Sequence, residues 1–220
     1  MTSDAPRVKV WDLPVRLFHW LLVAAFALSW YSGEQGLEWV DIHIWSGYAI
    51  ITLVGFRILW GLVGSETARF TDFLHGPRRI IGYLRGWFRG EEHALGHNPA
   101  GGWMVLVMLV LLLTQGITGL FATDDIFFDG PLGGWVSGDT QSWLTGWHKT
   151  LFDLLLALIA LHIVAVVLYR LVRGEDLVRP MVTGYKREVA RQPTMAPLLR
   201  AVVLLALVAG TLAIAVVTAP

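Results

Sequence analysis

An all-α integral membrane fold follows from three features of the sequence. Of its 220 residues 55% are hydrophobic and 15% charged, and the mean hydropathy is +0.58. Five stretches, about 15–31, 43–63, 103–121, 147–170 and 198–217, are long and apolar enough to cross a ~30 Å hydrocarbon core. A soluble chain of this size would have to bury several helices that are apolar all round, and its core is too small for that. The third feature is the alternation of charge between the connections. Arg7, Lys9 and Arg16 flank the first span, Arg69, Arg78, Arg79, Arg85 and Arg89 lie between spans two and three, and seven more Lys or Arg lie between Tyr169 and Ala201. The alternate connections, 32–42 and 122–146, carry no Lys or Arg and seven acids. By the positive-inside rule the N-terminus is expected in the cytoplasm and the C-terminus, after five spans, on the outer side. MTSDAPRVKVWDLP lacks the apolar stretch of a signal peptide, so the first span is expected to be retained.

The chain contains no cysteine. Disulfides, iron–sulfur clusters, zinc–thiolate sites and covalent c-type haem attachment are thereby excluded, and any tightly held metal has to use His, Met or carboxylate.

Span one opens with RLFHW, which places His19 about a turn inside the basic end, with Arg16 three residues earlier on the same face. Span two, HIWSGYAIITLVGFRILWGLVG, carries His43 in its first turn. Gly47, one turn later, leaves that face bare, as a flat macrocycle lying on the helix requires. Fourteen residues after His43 comes Arg57. An arginine inside a span faces the bundle interior or a polar partner, here a cofactor carboxylate, unless it snorkels to the nearby headgroups.

The connection after span two contains GPRRIIGYLRGWFRG, which reads as a surface-lying helix after Pro77. His75, His93 and His97 in this connection read as solvated loop residues. Span three, WMVLVMLVLLLTQGITGLF, has no histidine or charge, and its Gly116 and Gly119 suit close packing against a helix, the commoner case, or against a cofactor plane. The acidic connection from Asp124 to Gly138 suits either a docking surface for a cationic partner or simple exclusion of basic residues.

Span four, WHKTLFDLLLALIALHIVAVVLYR, holds His148 near its start and His162 fourteen residues on. In an ideal helix these diverge by only about 40° and stand roughly 21 Å apart. Matching depth pairs His43 with His148 near the acidic face and His19 with His162 near the basic face. Two imidazoles at one level can hold iron axially in a b-type haem with no open coordination position, which favours electron transfer. Zinc would need three or four ligands, which neither level offers. A proton path built on the histidines, with Asp153 of span four as a further member, is the alternative and requires no haem. Span five, LLRAVVLLALVAGTLAIAVV, has no group fit for chemistry and reads as a packing or docking helix.

RLFHW, HIWSGY, GHNPAGGW and WHKTLFDLLLALIALHIVAVVLY together resemble the bacterial cytochrome b561 family, which includes the cytochrome b subunit of Ni,Fe-hydrogenases, over about residues 8–186. The resemblance implies a four-helix transmembrane bundle holding two non-covalent b-type haems, with ligands on His19, His43, His148 and His162. It implies a location in the inner membrane and electron exchange between quinone (ubiquinone or menaquinone) and a periplasmic cytochrome c, dehydrogenase or hydrogenase subunit. No nucleic-acid partner is expected. Arg57, and more weakly Lys149, are the expected partners of haem propionates. Residues 1–190 would form the cytochrome domain and 191–220 an additional helix. An oxidoreductase reacting alone with superoxide or quinone is a second reading.

Overall fold

The computed structural model describes residues 7–87, 95–187 and 191–220. Among them the elements in chain order are strand β1 (Arg7–Lys9), helices α1 (Leu13–Glu34), α2 (Val40–Val63), α3 (Phe70–Phe73), α4 (Pro77–Gly86), α5 (Pro99–Leu120), α6 (Gly138–Arg173) and α7 (Val178–Thr183), strand β2 (Tyr185–Arg187) and helix α8 (Leu198–Val217). Five of these helices are long and apolar enough to cross a membrane, the five foreseen from hydropathy. His93 and the end of the GPRRIIGYLRGWFRG segment lie outside the described residues.

The helix ends are set by local chemistry that hydropathy does not register. The Oδ1 of Asp12 accepts the amide of Val15 at 2.7 Å, capping α1, and Pro14 follows in the first turn, where a missing N–H costs nothing. Asn98 does the same for α5, its Oδ1 accepting from the Gly101 amide at 2.7 Å with Pro99 behind it, so this helix starts four residues before the expected span. The larger correction concerns α6. Ser137 caps it and the polar two and a half turns 138–146 are helical, so His148 lies well inside the helix and not at its start. At 36 residues α6 is about 54 Å long and must project beyond a ~30 Å core. It ends where Gly174 takes a left-handed φ of 66°, the usual helix stop.

In space the order is α1, α2, α5, α6, each packed on the next, and α8 lies on the outer side of α2. That last contact is close: a Cβ on Gly55 of α2 would come within 2.8 Å of Val208 Cγ1 of α8. The ring does not close by backbone packing between α6 and α1. Aromatic side chains span the gap, with Phe152 of α6 6.4 Å from Phe26 and 6.0 Å from Trp30 of α1, centroid to centroid.

At the basic end the N-terminal strand and the segment after α6 form an unforeseen two-stranded antiparallel ribbon, Arg7 opposite Arg187 and Lys9 opposite Tyr185. Three-residue strands carry too little pattern to be read in advance. Around the ribbon, Arg16 donates to the Val182 carbonyl at 2.5 Å and Trp20 Nε1 to that of Met181 at 3.3 Å. The core lies in this half of the bundle, where Val10, Val54, Trp60 and Leu155 are sealed from solvent.

Candidate functional site

His43 and His148 face one another across the acidic half of the bundle, on α2 and α6, with ring centroids 6.1 Å apart and planes at 83°. Each ring is held from behind. The Nδ1 of His43 lies 2.8 Å from the Ser29 carbonyl of α1, and that of His148 lies 2.9 Å from the Gln115 carbonyl of α5. A carbonyl oxygen can only accept, so both Nδ1 atoms carry the proton and both Nε2 atoms keep a lone pair. This is the tautomer that a metal-ligating histidine needs, fixed by the arrangement that usually accompanies ligation.

Close backbone approach makes room for the rings. A Cβ on Gly33 would stand 3.1 Å from both Cε1 and Nδ1 of His43, and one on Gly119 would stand 2.8 Å from Cε1 of His148. Gly119, expected to let a helix or a cofactor plane approach, instead admits the His148 ring. Gly47, one turn after His43, faces nothing within 4 Å, so the face beside the imidazole is open.

At the basic level, His19 of α1 and His162 of α6 lie near enough to interact electrostatically. Among the described residues no ring contact joins them directly; His19 instead packs edge-on against Trp20 at 4.9 Å, and its Nδ1 is buried without a hydrogen-bond partner. By chain position Phe26 of α1 and Phe152 and Leu155 of α6 lie between the two levels, Leu155 fully buried.

Arg57 does not snorkel. It is 1% exposed, with its guanidinium carbon 5.6 Å from the Phe70 ring and 5.8 Å from the Phe73 ring, and neither terminal nitrogen has a hydrogen-bond partner. Asp12 is close enough to act on it by charge. Its two oxygens are nevertheless committed, Oδ1 to the α1 cap and Oδ2 to Trp60 Nε1 at 2.9 Å. An unsatisfied buried cation typically costs about 3–5 kcal/mol. Lys149 and Asp153, by contrast, are exposed on α6.

His97 departs from its reading as a solvated loop residue. Its ring lies 4.7 Å from that of Trp11 and 4.6 Å from that of Phe73, and its Nδ1 is buried with no partner. Burial first, then the charges of Arg57 and His162, hold its pKa down at about 3, so the ring is neutral. The residue stands directly before the Asn98 cap, a position that packs against the first turns of the helix it precedes, and this was the available signal.

Among the described residues no group of three or more His, Cys, Asp or Glu gathers as a metal cage. The two-imidazole arrangement does fit a b-type haem. Two bonds of about 2 Å to one metal, plus about 1.1 Å from each nitrogen to its ring centre, require centroids about 6.2 Å apart. The 6.1 Å between His43 and His148 meets this.

Fold and site together define a membrane-spanning helical protein of the b-type cytochrome class. The chain matches prokaryotic cytochrome b561 over residues 10–184 and belongs to that family. α8 falls outside the matched range. No curated protein and no solved structure matches the chain. Family membership carries a membrane electron-transfer role with b-type haem.

Proposed function

We propose that this chain conducts electrons across the bacterial inner membrane through two haem sites, His43 with His148 at the acidic side and His19 with His162 at the basic side. When bound, a b-type haem supplies one-electron exchange at its iron. The observation that carries the reading is the facing His43–His148 pair, 6.1 Å apart, with both Nδ1 atoms tied to backbone carbonyls. His43 and His148 would hold one such haem and His19 and His162 the other, with both imidazoles of each pair engaged, and the fully buried Leu155 lies at an intermediate depth on α6. Arg57 serves a cofactor carboxylate at the basic level.

Charge alternation supports a cytoplasmic N-terminus and a periplasmic C-terminus, which puts the His43–His148 level toward the periplasm. The redox partners are quinone (ubiquinone or menaquinone) and a periplasmic cytochrome c, dehydrogenase or hydrogenase subunit. The acidic connection supports docking at that face. There Asp124 Oδ1 accepts the amides of Ile126, Phe127 and Phe128 at 3.0, 2.8 and 2.8 Å, presenting Ile126 and Phe127 at 77% and 78% exposure. Residues 1–190 form the cytochrome unit and 191–220 an accessory helix.

The test is vectorial transfer in proteoliposomes with ferricyanide trapped inside and a quinol analogue outside. Haem-loaded wild-type protein is expected to reduce the trapped ferricyanide, and His43→Ala or His162→Ala to reduce it at the rate of empty liposomes. Equal rates in wild type and both variants would overturn the proposal.

A further inference from the structure

Arg57 and His97 lie on different segments, one in α2 and the other just before α5, yet Phe73 touches both, at 5.8 Å from the guanidinium carbon and 4.6 Å from the imidazole. Both terminal nitrogens of Arg57 and the Nδ1 of His97 are buried and unpartnered, and Arg57 and His162 are close enough to act on His97 by charge. The aromatic walls, Trp11, Phe70 and Phe73, offer these groups no acceptor. Asp12, the acid that acts on Arg57, spends both oxygens on the α1 cap and Trp60. The vacant polar groups are therefore a guanidinium fork and an imidazole Nδ1, which donates in the tautomer that protonates it, gathered about the Phe73 ring. A fork of this kind matches the two oxygens of a carboxylate, and a second donor from another direction fixes its orientation.

We infer that Arg57 and His97 together form a carboxylate site at the basic end of the bundle, where His97 is the second donor to the propionate of the haem proposed at His19 and His162. The inference rests on that haem assignment. It gives His97 a task that its place in a loop does not suggest, and it explains why an arginine can remain buried there: the propionate completes it.

Haem release tests this without any assay of electron transfer. The full-length protein is stripped and reloaded with haem b or with its dimethyl ester, which lacks both carboxylates, and loss to excess apomyoglobin is timed for each centre by its visible spectrum. With haem b, Arg57→Gln and His97→Leu are expected to speed loss from the basic-side centre by roughly tenfold or more. His97→Gln, which keeps a donor, recovers part of the difference, and the other centre is unchanged. The ester in wild-type protein reproduces the fast loss with no substitution at all, and neither variant accelerates it further. Acceleration of haem b and ester alike would reduce both residues to packing and overturn the site, as would no effect on either. Wild-type protein that takes up neither cofactor would instead overturn the haem assignment itself, and is recognised before any variant is compared.

Discussion

His148 illustrates how little freedom the acidic-side site leaves to a single residue. Its Nδ1 is pinned by the Gln115 carbonyl at 2.9 Å and its ring edge lies where a Cβ of Gly119 would stand, 2.8 Å from Cε1. Valine at 119 has to move either the ring or α5, and overpacking of this kind costs about 1–3 kcal/mol. Gly119→Val is therefore expected to weaken haem affinity at the acidic-side centre by about fivefold or more while the basic-side centre is retained, read by titrating haem into the stripped protein and following each centre's visible spectrum. Unchanged affinity at both centres would show that the ring need not stay where it is. The four intramembrane histidines were legible because periodicity assigns them a helix face and a depth. His97 was not, because what buries it is the Phe73 and Trp11 side chains, which come from elsewhere in the chain. Arg57 was legible as a cation in a span; that it is sealed between two phenylalanines, and not extended to the headgroups, depended on the α3 segment folding back over it.

At the scale of elements, the five spans were readable because hydropathy responds to the bilayer, and their ends were not because caps respond to single side chains. Asp12, Asn98 and Ser137 each set a start that the apolar pattern places later. The basic-end connections are tied by pairings remote in sequence, which no local pattern reveals. Glu66, just beyond α2, pairs with Arg191 and accepts the Thr194 amide at 3.0 Å, fastening the segment that leads into α8. The Arg191 hydrogen bond, then that of Thr194, hold its carboxyl down at about 2. A carboxyl depressed on folding contributes stability that is complete above the unfolded value near 4.5 and is lost as pH falls toward about 2. With Arg191 exposed, solvent screens most of that contribution and leaves it small. Thermal unfolding in detergent should accordingly show Glu66→Gln slightly less stable than wild type at pH 7, with the difference shrinking as pH falls from about 4.5 toward 2. A difference that did not shrink over that interval would assign the loss to something other than the ion pair.

The whole molecule sets two levels of histidines roughly 21 Å apart in a bundle whose fourth span meets the first through rings and not through backbone. In the proposed function the separation of α6 from α1 would leave room for the flat cofactors, which the imidazoles of His43 and His148 reach toward from α2 and α6. Charge sorting supports the orientation proposed above, and α8 packs on α2. One haem at each level is the arrangement proposed. A reduced-minus-oxidised visible spectrum with haem quantification on purified protein, wild type beside His19→Ala, His43→Ala, His148→Ala and His162→Ala, tests it most directly. The account predicts two b-type haems per chain, with His43→Ala and His148→Ala losing the same centre and His19→Ala and His162→Ala losing the other. One haem per chain in the wild type, or loss of the same centre by His43→Ala and His162→Ala, would contradict it.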